Sequence, residues 1–286
     1  MGNQISISTA KAISDYFKVP LTKYFKTEKQ EVHYSKSTNA GTATILRIIL
    51  GEAKRQQLIE HNYATREYTK PLTGTTKSKE IFNESEARQF VKAVLKETHP
   101  KKKTMLALLI FMGLRKGEIF GLSWKNIDFD NKTITIENNT IYFRQFGTIS
   151  KSPKTQKSHR TIKMPELLVD ILTEYRDWYR YQKTIHGDLW ANTDNLFIQD
   201  NGKIMNPCTL NSWLKKFNLE NGFKNIPPHS LRHTCISLQI TAGIPIKTVS
   251  ERAGHSSERI TLDIYTHTLQ SQDIQAAEIY NKFLIG

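Results

Sequence analysis

Side chains that can bind or attack a phosphodiester concentrate in residues 229–265, in the last third of the chain. His229, Arg232 and His233 are spaced i, i+3 and i+4, so a helix would place all three on one face near its N-terminus. A helix N-terminus has free N–H groups and a partial positive charge. Two histidines and an arginine beside it predict a site for an anion such as a phosphate.

A metal site is the alternative for the two histidines, because their spacing matches that of a zinc-binding helix. The zincin motif needs a glutamate directly after the first histidine, and this chain has Ser230 there. Arg232 lies between the two histidines and would repel a cation. The pattern therefore disfavours a metal, and a structural role for His233 is a second interpretation.

Three more residues have types that suit the same chemistry but are ambiguous alone. His255 follows Gly254 in a turn, and Tyr265 lies ten residues later. A single tyrosine on a helix usually packs, and the chain has 11 tyrosines. Arg115 lies at a predicted helix junction beside apolar residues, where a half-buried guanidinium must be paired or bind a ligand. Glu118, at i+3, is the expected ion-pair partner.

A lysine-rich segment, residues 147–158 (GTISKSPKTQKS), is predicted to be a loop between two strands. Its lysines could close over a phosphate backbone. A solubilising loop is the alternative, because connecting segments lie at the surface in any case.

Apolar residues that recur with helical spacing predict a mainly helical chain. The predicted helices include residues 9–17, 21–26, 37–57, 83–95, 105–112, 165–183, 207–218, 229–242 and 245–253. The third of these should bury Ile45, Ile48 and Ile49 on one face. The fourth should begin with a capping box formed by Asn83 and Glu86.

Alternating residues predict a small set of strands between the helices. These strands cover residues 133–136, 140–146 and 160–164. The basic run 99–103 is expected to be a solvated loop. The last helix before Tyr265 should bury Ile260, Leu262 and Ile264. The fold class is therefore mainly α with a small antiparallel β-sheet.

The composition favours a polyanionic partner. The chain of 286 residues has 41 lysines and arginines against 27 acidic residues, a net charge of +14 and a pI near 9.6. Nucleic acid is the first expectation for such a charge, and a membrane surface is the second. The sequence has no apolar run long enough to span a bilayer and no secretory-signal layout at its start. Cys208 and Cys235 fit a reducing compartment, so a cytoplasmic protein is expected.

Four segments, in order and in register, resemble the motifs of the tyrosine recombinases, the phage integrase family. They are GLRKGE at 113–118, HSLRH at 229–233, GHSS at 254–257 and TLDIYTH at 261–267. One such segment alone would be a weak signal, but four with matching spacing are specific. The resemblance extends over residues 80–280.

The first part of the chain, residues 1–64, resembles less specifically the core-binding region of conjugative-transposon integrases. It has Asn62-Tyr63 where that region usually has Asn-Pro, which affects a turn and leaves the chemistry untouched. The resemblance implies the tyrosine-recombinase catalytic fold (α+β) in a two-domain, C-shaped DNA clamp. The expected parts are a helical core-binding region at 1–70, a linker at 71–82 and a catalytic domain at 83–286. The first of these would be truncated at its N-terminus, so the chain would be a fragment of a longer protein.

By the same resemblance, the chain would cleave and rejoin DNA and so integrate or excise a mobile genetic element such as a transposon. Tyr265 would attack a phosphodiester and form a 3′-phosphotyrosine with a free 5′-hydroxyl. Arg115 and Arg232 would clamp the nonbridging oxygens, because guanidinium groups bind them in pairs. His255 would donate to the same phosphate, and His229 would donate or act as a general base toward Tyr265.

The remaining roles implied by the resemblance concern the leaving group and the support of the site. Lys154 would protonate the leaving 5′ oxygen, with Lys157 and then Lys151 as alternatives. Glu118 would orient the site, and His233 would support its helix. No cofactor and no metal are expected, because cationic side chains take the place of a metal.

The implied partners are double-stranded DNA at recombination sites, three further protomers in a tetramer, and an excisionase or DNA-bending accessory protein, with no membrane. The tail after Tyr265 would pack either on a neighbouring protomer or on its own domain. A bacterial or phage origin is expected. Two other functions share some of these features: a DNA-binding regulator without chemistry and a type IB topoisomerase. The full set of catalytic residue types argues against the first, and the integrase-like N-terminal region argues against the second.

Overall fold

The computed structural model describes most of the chain. The described residues are 7–18, 20, 36–65, 67–68, 80–143, 145, 147–151, 159–191, 193–265 and 285. Over these residues the chain is mainly helical with two small antiparallel sheets, which confirms the predicted α+β class. The chain divides into two compact units, residues 1–78 and 79–286. None of the described helices is both long and apolar enough to cross a membrane.

The first unit contains two described helices, α1 at Ile7–Phe17 and α2 at Lys36–Arg55. The expected burial on α2 is wrong, because Ile45, Ile48 and Ile49 are 58–66% exposed. The segment that follows α2 folds back on it, where Asn62 Nδ2 donates to Arg47 O at 3.0 Å. The helix expected at residues 21–26 lies outside the described residues.

The second unit begins with α3 (Glu84–Lys96), and its capping box at Asn83 and Glu86 is confirmed. Phe82, inside the range expected to be a linker, is 2% exposed and packs in the core of this unit. Its N–H donates to Thr234 Oγ1 at 3.1 Å, far along the chain. The folded unit therefore includes the residues directly before α3.

The basic run at residues 99–103 is the first turn of helix α4 (Pro100–Met112), so the expected solvated loop is wrong. Proline suits the first position of a helix, because the N–H that it lacks would have no helical partner there. Lys101 is only 2% exposed, and its Nζ lies 3.1 Å from Asp200 Oδ1. The next two lysines pair with Glu97 and Glu174, at 2.7 and 2.8 Å.

Helix α4 is central to the core of the second unit, since Met105 to Leu109 have no exposed surface. A short helix, α5 (Lys116–Gly121), follows the left-handed Gly113. The long helix α6 (Glu166–His186) packs against α4, and its expected core residues are buried as predicted: Leu168, Ile171, Leu172, Tyr175 and Tyr179.

Among the described residues, five strands form two antiparallel sheets. One sheet has the order β1-β2-β5, with β1 at Ile127–Asp128, β2 at Thr133–Ile136 and β5 at Arg160–Lys163. The other is a hairpin of β3 (Asn139–Phe143) and β4 (Gly147–Lys151). The predicted loop is therefore wrong over its first five residues, which pair with β3, and residues 152–158 lie outside the described residues.

Four more helices lie in the described part of the second unit, up to residue 265. They are α7 (Thr209–Glu220), α8 (Pro228–Thr241), α9 (Ile246–Ala253) and α10 (Glu258–Tyr265). The expected apolar face of α10 is wrong in part, because Ile260 and Leu262 are 40% and 39% exposed. Thr261 is fully buried instead, and Ile264, three residues later on the same face, packs on α8 and α9.

Candidate active site

The candidate site is built around Glu118, a carboxylate on α5 that is 5% exposed. Arg115 Nη1 donates to its Oε1 at 2.7 Å, as the i, i+3 spacing predicts. Arg160 donates to both oxygens, at 3.1 and 2.9 Å. Arg232 Nη1 lies 3.9 Å from Oε2. One carboxylate thus holds three guanidinium groups that come from α5, β5 and α8.

These cations decide the charge of the carboxyl group. Burial raises the pKa of Glu118, but the hydrogen bonds and charge of Arg160, together with Arg115, outweigh that effect and bring the pKa down to about 2. The group is therefore ionised at neutral pH. The Glu118 carboxylate also accepts the backbone N–H of Arg115 at 2.9 Å and so caps α5, which strengthens the arrangement.

The end of α9 is the second support for the arginines. Backbone oxygens at residues 252–254 accept hydrogen bonds from Arg160, Arg232 and Arg115, with donor–acceptor distances of 2.7, 2.6 and 2.9 Å for the shortest contact of each. Carbonyls at a helix C-terminus have no partner within the helix and carry partial negative charge. The end of α9 is therefore a natural acceptor for cations that converge from other elements.

Arg232 is the most buried of the three, at 1% exposure. Its Nη1 donates to Gly113 O and its Nη2 to Ala253 O, each at 2.6 Å. Burial, and then the charge of Arg115, lower its pKa to about 9. The side chain is still cationic at neutral pH, whereas Arg115 keeps a 38% exposed side chain that a ligand can reach.

His255 follows α9 directly and is half-buried beside this cluster. Its Nδ1 lies 2.8 Å from Thr261 Oγ1 on α10. Burial and the positive charges of Arg232 and Arg115 lower the pKa of His255 to about 4. The imidazole is therefore neutral at neutral pH, with one ring N–H to donate.

The other two candidate histidines lie together on α8, as their spacing predicts. His229 is exposed near the start of the helix, and His233 is 8% exposed. Their ring centroids are 4.4 Å apart and the rings are nearly perpendicular, at 77°. Arg232, between them in sequence, donates to Gly113 O and lies 3.9 Å from Glu118.

The nucleophile and the lysine are described less completely. Tyr265 is the last residue of α10, and its backbone alone is described. Lys151 ends β4, also with its backbone alone described, and Lys154 and Lys157 lie outside the described residues. The structure therefore brings together Glu118, Arg115, Arg232 and His255, and the catalytic role of every candidate residue stays a prediction.

Arg160 was not among the candidate residues, although it binds Glu118 through two hydrogen bonds. Its side chain is 8% exposed. The sequence holds a signal for it, because Arg160 lies two residues before Ile162 and alternation places both on the same face of β5. An arginine on the inward face of a strand must be paired.

Within the described residues, no three His, Cys, Asp or Glu side chains converge in a way that could hold a metal ion. The groups that converge on the Glu118 carboxylate are three guanidinium cations, with a neutral imidazole beside them, so the positive charges outnumber the negative one. Such a set is suited to bind an anion and to stabilise negative charge that grows on it during a reaction.

Comparison with known proteins assigns a family to this fold and site. The model of the phage integrase family matches residues 80–272. A XerC-like tyrosine recombinase of Caldanaerobacter subterraneus is 32% identical over 217 residues, which are 72% of this chain and 55% of that protein. The ICEBs1 integrase of Bacillus subtilis is 25% identical over 279 residues, 94% of this chain and 74% of its own.

A solved structure has the same fold. The Tn1549 transposon integrase in complex with a circular intermediate DNA superimposes with a TM-score of 0.69 at 21% identity, over 96% of this chain and 86% of that one. This likeness confirms the predicted catalytic fold. This chain spans 55% of the length of the XerC-like relative. With two thirds of its residues inside the family match, the chain belongs to the phage integrase family of tyrosine recombinases.

Proposed function

We propose that this chain is a site-specific DNA recombinase that cleaves and rejoins DNA through a 3′-phosphotyrosine, and that it integrates or excises a mobile genetic element. The observation that carries the proposal is the fixed arrangement of Arg115 and Arg232 on Glu118 and the end of α9. The family supports it, and the relatives named above include an integrase and a recombinase.

The two arginines bind the scissile phosphate. Each guanidinium has five N–H donors in one plane, and protein acceptors use only some of them. The remaining donors of Arg115, whose side chain is 38% exposed, contact the nonbridging oxygens, on which negative charge grows as the phosphorus becomes five-coordinate. The positive charge of the buried Arg232 attracts the same oxygens. Because protein groups already hold the guanidiniums in place, little reorganisation accompanies the reaction.

The histidines act around the same phosphate. His255, neutral because of its pKa near 4, donates its ring N–H to a nonbridging oxygen. His229, exposed at the start of α8, donates to the phosphate or accepts the proton of Tyr265. A phenol ordinarily titrates near pH ~10, so a nearby base or a cationic environment is needed to make it a nucleophile.

The covalent step conserves the phosphodiester energy. The Tyr265 oxygen bonds to phosphorus, the bond to the 5′ oxygen breaks, and Lys154 supplies a proton to that oxygen. Lys157 and Lys151 are the alternative donors. In the reverse step a 5′-hydroxyl attacks the phosphotyrosine and releases the enzyme, so ligation needs no further energy source.

The proposed organisation is a two-part clamp on double-stranded DNA, with the core-binding region at 1–70, the linker at 71–82 and the catalytic domain at 83–286. Phe82, at the end of the linker range, already packs in the core of the second unit. The net charge of +14 and the division of the chain after residue 78 support this organisation. We further propose that four protomers assemble on DNA through their C-terminal tails, with an excisionase or bending protein as accessory. Such a protein acts in the cytoplasm.

A nicked suicide duplex tests the chemistry directly. Duplexes with a randomised core are incubated with the protein, and covalently attached DNA is captured and sequenced. We expect an adduct from the wild type and none from Tyr265→Phe, while Tyr181→Phe, a change at a 63% exposed tyrosine of α6, keeps the wild-type yield.

Three outcomes would contradict the proposal. If the wild type binds DNA without forming an adduct, the chain is a binding regulator. If the adduct persists in Tyr265→Phe, the nucleophile is wrong. If the captured sequences support cleavage but never strand exchange between two duplexes, the reaction is that of a topoisomerase.

A further inference from the structure

We propose that Thr261 is a positioning residue that holds His255 in the tautomer with the proton on Nε2, so that Nε2 can donate to the DNA phosphate. This inference rests on the proposed function, because it deepens the role of His255 in the same site. It concerns a residue to which neither the sequence motifs nor the family match assigns a role.

The geometry of the contact is specific. Thr261 has no exposed surface, and its Oγ1 lies 2.8 Å from His255 Nδ1. The His255 backbone is held at the same time, since its N–H donates to Ser250 O at 3.1 Å. His255 is thus held at the ring nitrogen Nδ1 and at its backbone N–H. The second ring nitrogen, Nε2, is the one that can contact a ligand.

The direction of the hydrogen bond decides the tautomer. If the hydroxyl donates to Nδ1, a neutral ring must carry its proton on Nε2 and can donate to a phosphate oxygen. If Nδ1 donates to the hydroxyl, Nε2 has only a lone pair and repels an anion. The pKa near 4 keeps the ring neutral, so these two forms are the relevant ones.

The surroundings of the hydroxyl select the first form. Several other threonines on helices donate to the carbonyl four residues earlier: Thr173, Thr184 and Thr234. In the described part of the chain, the recorded hydrogen bond of the Thr261 hydroxyl is the one to His255. A buried hydroxyl that cannot donate costs about 1–3 kcal/mol, so the stable arrangement uses Nδ1 as its acceptor.

The same bond links two functional elements. Thr261 lies four residues before Tyr265 on α10, so the two residues share one face of that helix, one turn apart. His255 belongs to the turn that follows α9, whose end holds the arginines. Thr261 therefore ties the proposed phosphate donor to the helix that carries the proposed nucleophile.

The first arm of the test reads the tautomer without DNA. Histidine-labelled protein is studied by long-range proton–nitrogen NMR, and the His255 signals are assigned by their loss in His255→Gln. We expect a pyridine-type Nδ1 and a pyrrole-type Nε2 in the wild type. A protonated Nδ1 in the wild type overturns the inference, whatever the activity.

The second arm measures the single-turnover rate of adduct formation. Thr261→Val keeps the branched shape but removes the hydroxyl. We expect it to slow cleavage roughly 10- to 100-fold, by analogy with the loss of the partner that orients a metal-binding histidine. Thr261→Ser should recover most of the rate. Thr104→Val, which removes another fully buried hydroxyl on α4, should cleave like the wild type.

The two arms separate the failure of this inference from that of the proposed function. If wild type forms no adduct, the recombinase proposal fails and the NMR arm still decides the tautomer. If wild type cleaves and Thr261→Val cleaves equally fast, or if Thr261→Ser is as slow as Thr261→Val, Thr261 has no such role.

Discussion

Glu118 is a single carboxylate that faces three guanidinium groups. Its contribution to stability should therefore depend on its negative charge more than on the shape of its side chain. Removing one partner of a buried ion pair costs about 3–5 kcal/mol, because the other charges are left uncompensated. We expect Glu118→Gln to lower the free energy of unfolding by that amount in urea denaturation. Glu174→Gln is the matched control, because Glu174 pairs with Lys103 but is 49% exposed.

The control should change stability by less than about 1 kcal/mol, as exposed ion pairs do. Equal losses in the two variants would contradict the central place given to Glu118. A fully stable Glu118→Gln would show that the arginines are held by the carbonyls of α9 alone.

The same carboxyl group predicts a pH dependence. Its pKa is lowered from 4.5 to about 2 in the folded protein, because the hydrogen bonds and charges of the arginines outweigh the effect of burial. A depressed folded-state pKa stabilises the protein fully above the unfolded value and loses that effect as the pH falls toward 2. The loss amounts to about 3 kcal/mol.

We therefore expect the unfolding free energy of the wild type to fall more steeply than that of Glu118→Gln as the pH is lowered from about 5 to about 3. Denaturation curves at matched ionic strength measure this difference. Parallel pH profiles for the two proteins would show that Glu118 has an ordinary pKa.

At the scale of elements, the end of α9 is a tight junction. Gly254 has φ +65°, and a Cβ there would lie 2.7 Å from Arg160 Nη1. Arg160 cannot easily retreat, since it is bound to Glu118 and to the Arg252 carbonyl. We expect Gly254→Ala to slow DNA cleavage at least tenfold, a loss of about 1.4 kcal/mol of transition-state stabilisation.

The variant Gly243→Ala separates the effect of backbone strain from that of steric contact with Arg160. Gly243 ends α8 with φ +81°, but nothing lies within 4 Å of its added Cβ. Both variants should lose about 1 kcal/mol of stability from the left-handed backbone, and only Gly254→Ala should lose activity. Equal cleavage rates would show that Arg160 has room to move.

The elements that the sequence predicts best are those whose own residues carry the signal. The apolar run of α4 and the core face of α6 were predicted and are buried. The lysines at residues 101–103 were misjudged because two of their partners, Glu174 and Asp200, come from remote parts of the chain. Local charge does not reveal such pairs.

The candidate site shows the same limit. Arg115 with Glu118 could be predicted, because i, i+3 neighbours meet on any helix. Arg160 could have been found from its alternation with Ile162, but its partner could not, because only the tertiary fold brings β5 to α5. The contact of Thr261 with His255 depends in the same way on how α10 returns to the end of α9.

At the scale of the whole molecule, the net charge of +14 predicts salt-sensitive DNA binding. A protein that contacts several phosphates releases their counterions, so we expect affinity to fall roughly 10³-fold or more between about 50 and 200 mM salt. Fluorescence anisotropy with a labelled duplex measures this, with sucrose at equal osmolality as the control. A change below about tenfold would contradict a phosphate-dominated interface.

The carbonyls at the end of α9 also affect when conformational freedom is lost. An arginine side chain loses about 2 kcal/mol of rotamer entropy when it is fixed. Here three arginines are fixed by folding, through the backbone of one helix end and one carboxylate. Because this rotamer entropy is already lost on folding, its loss does not oppose DNA binding. More of the free energy of contact with the phosphate therefore appears as affinity and as rate.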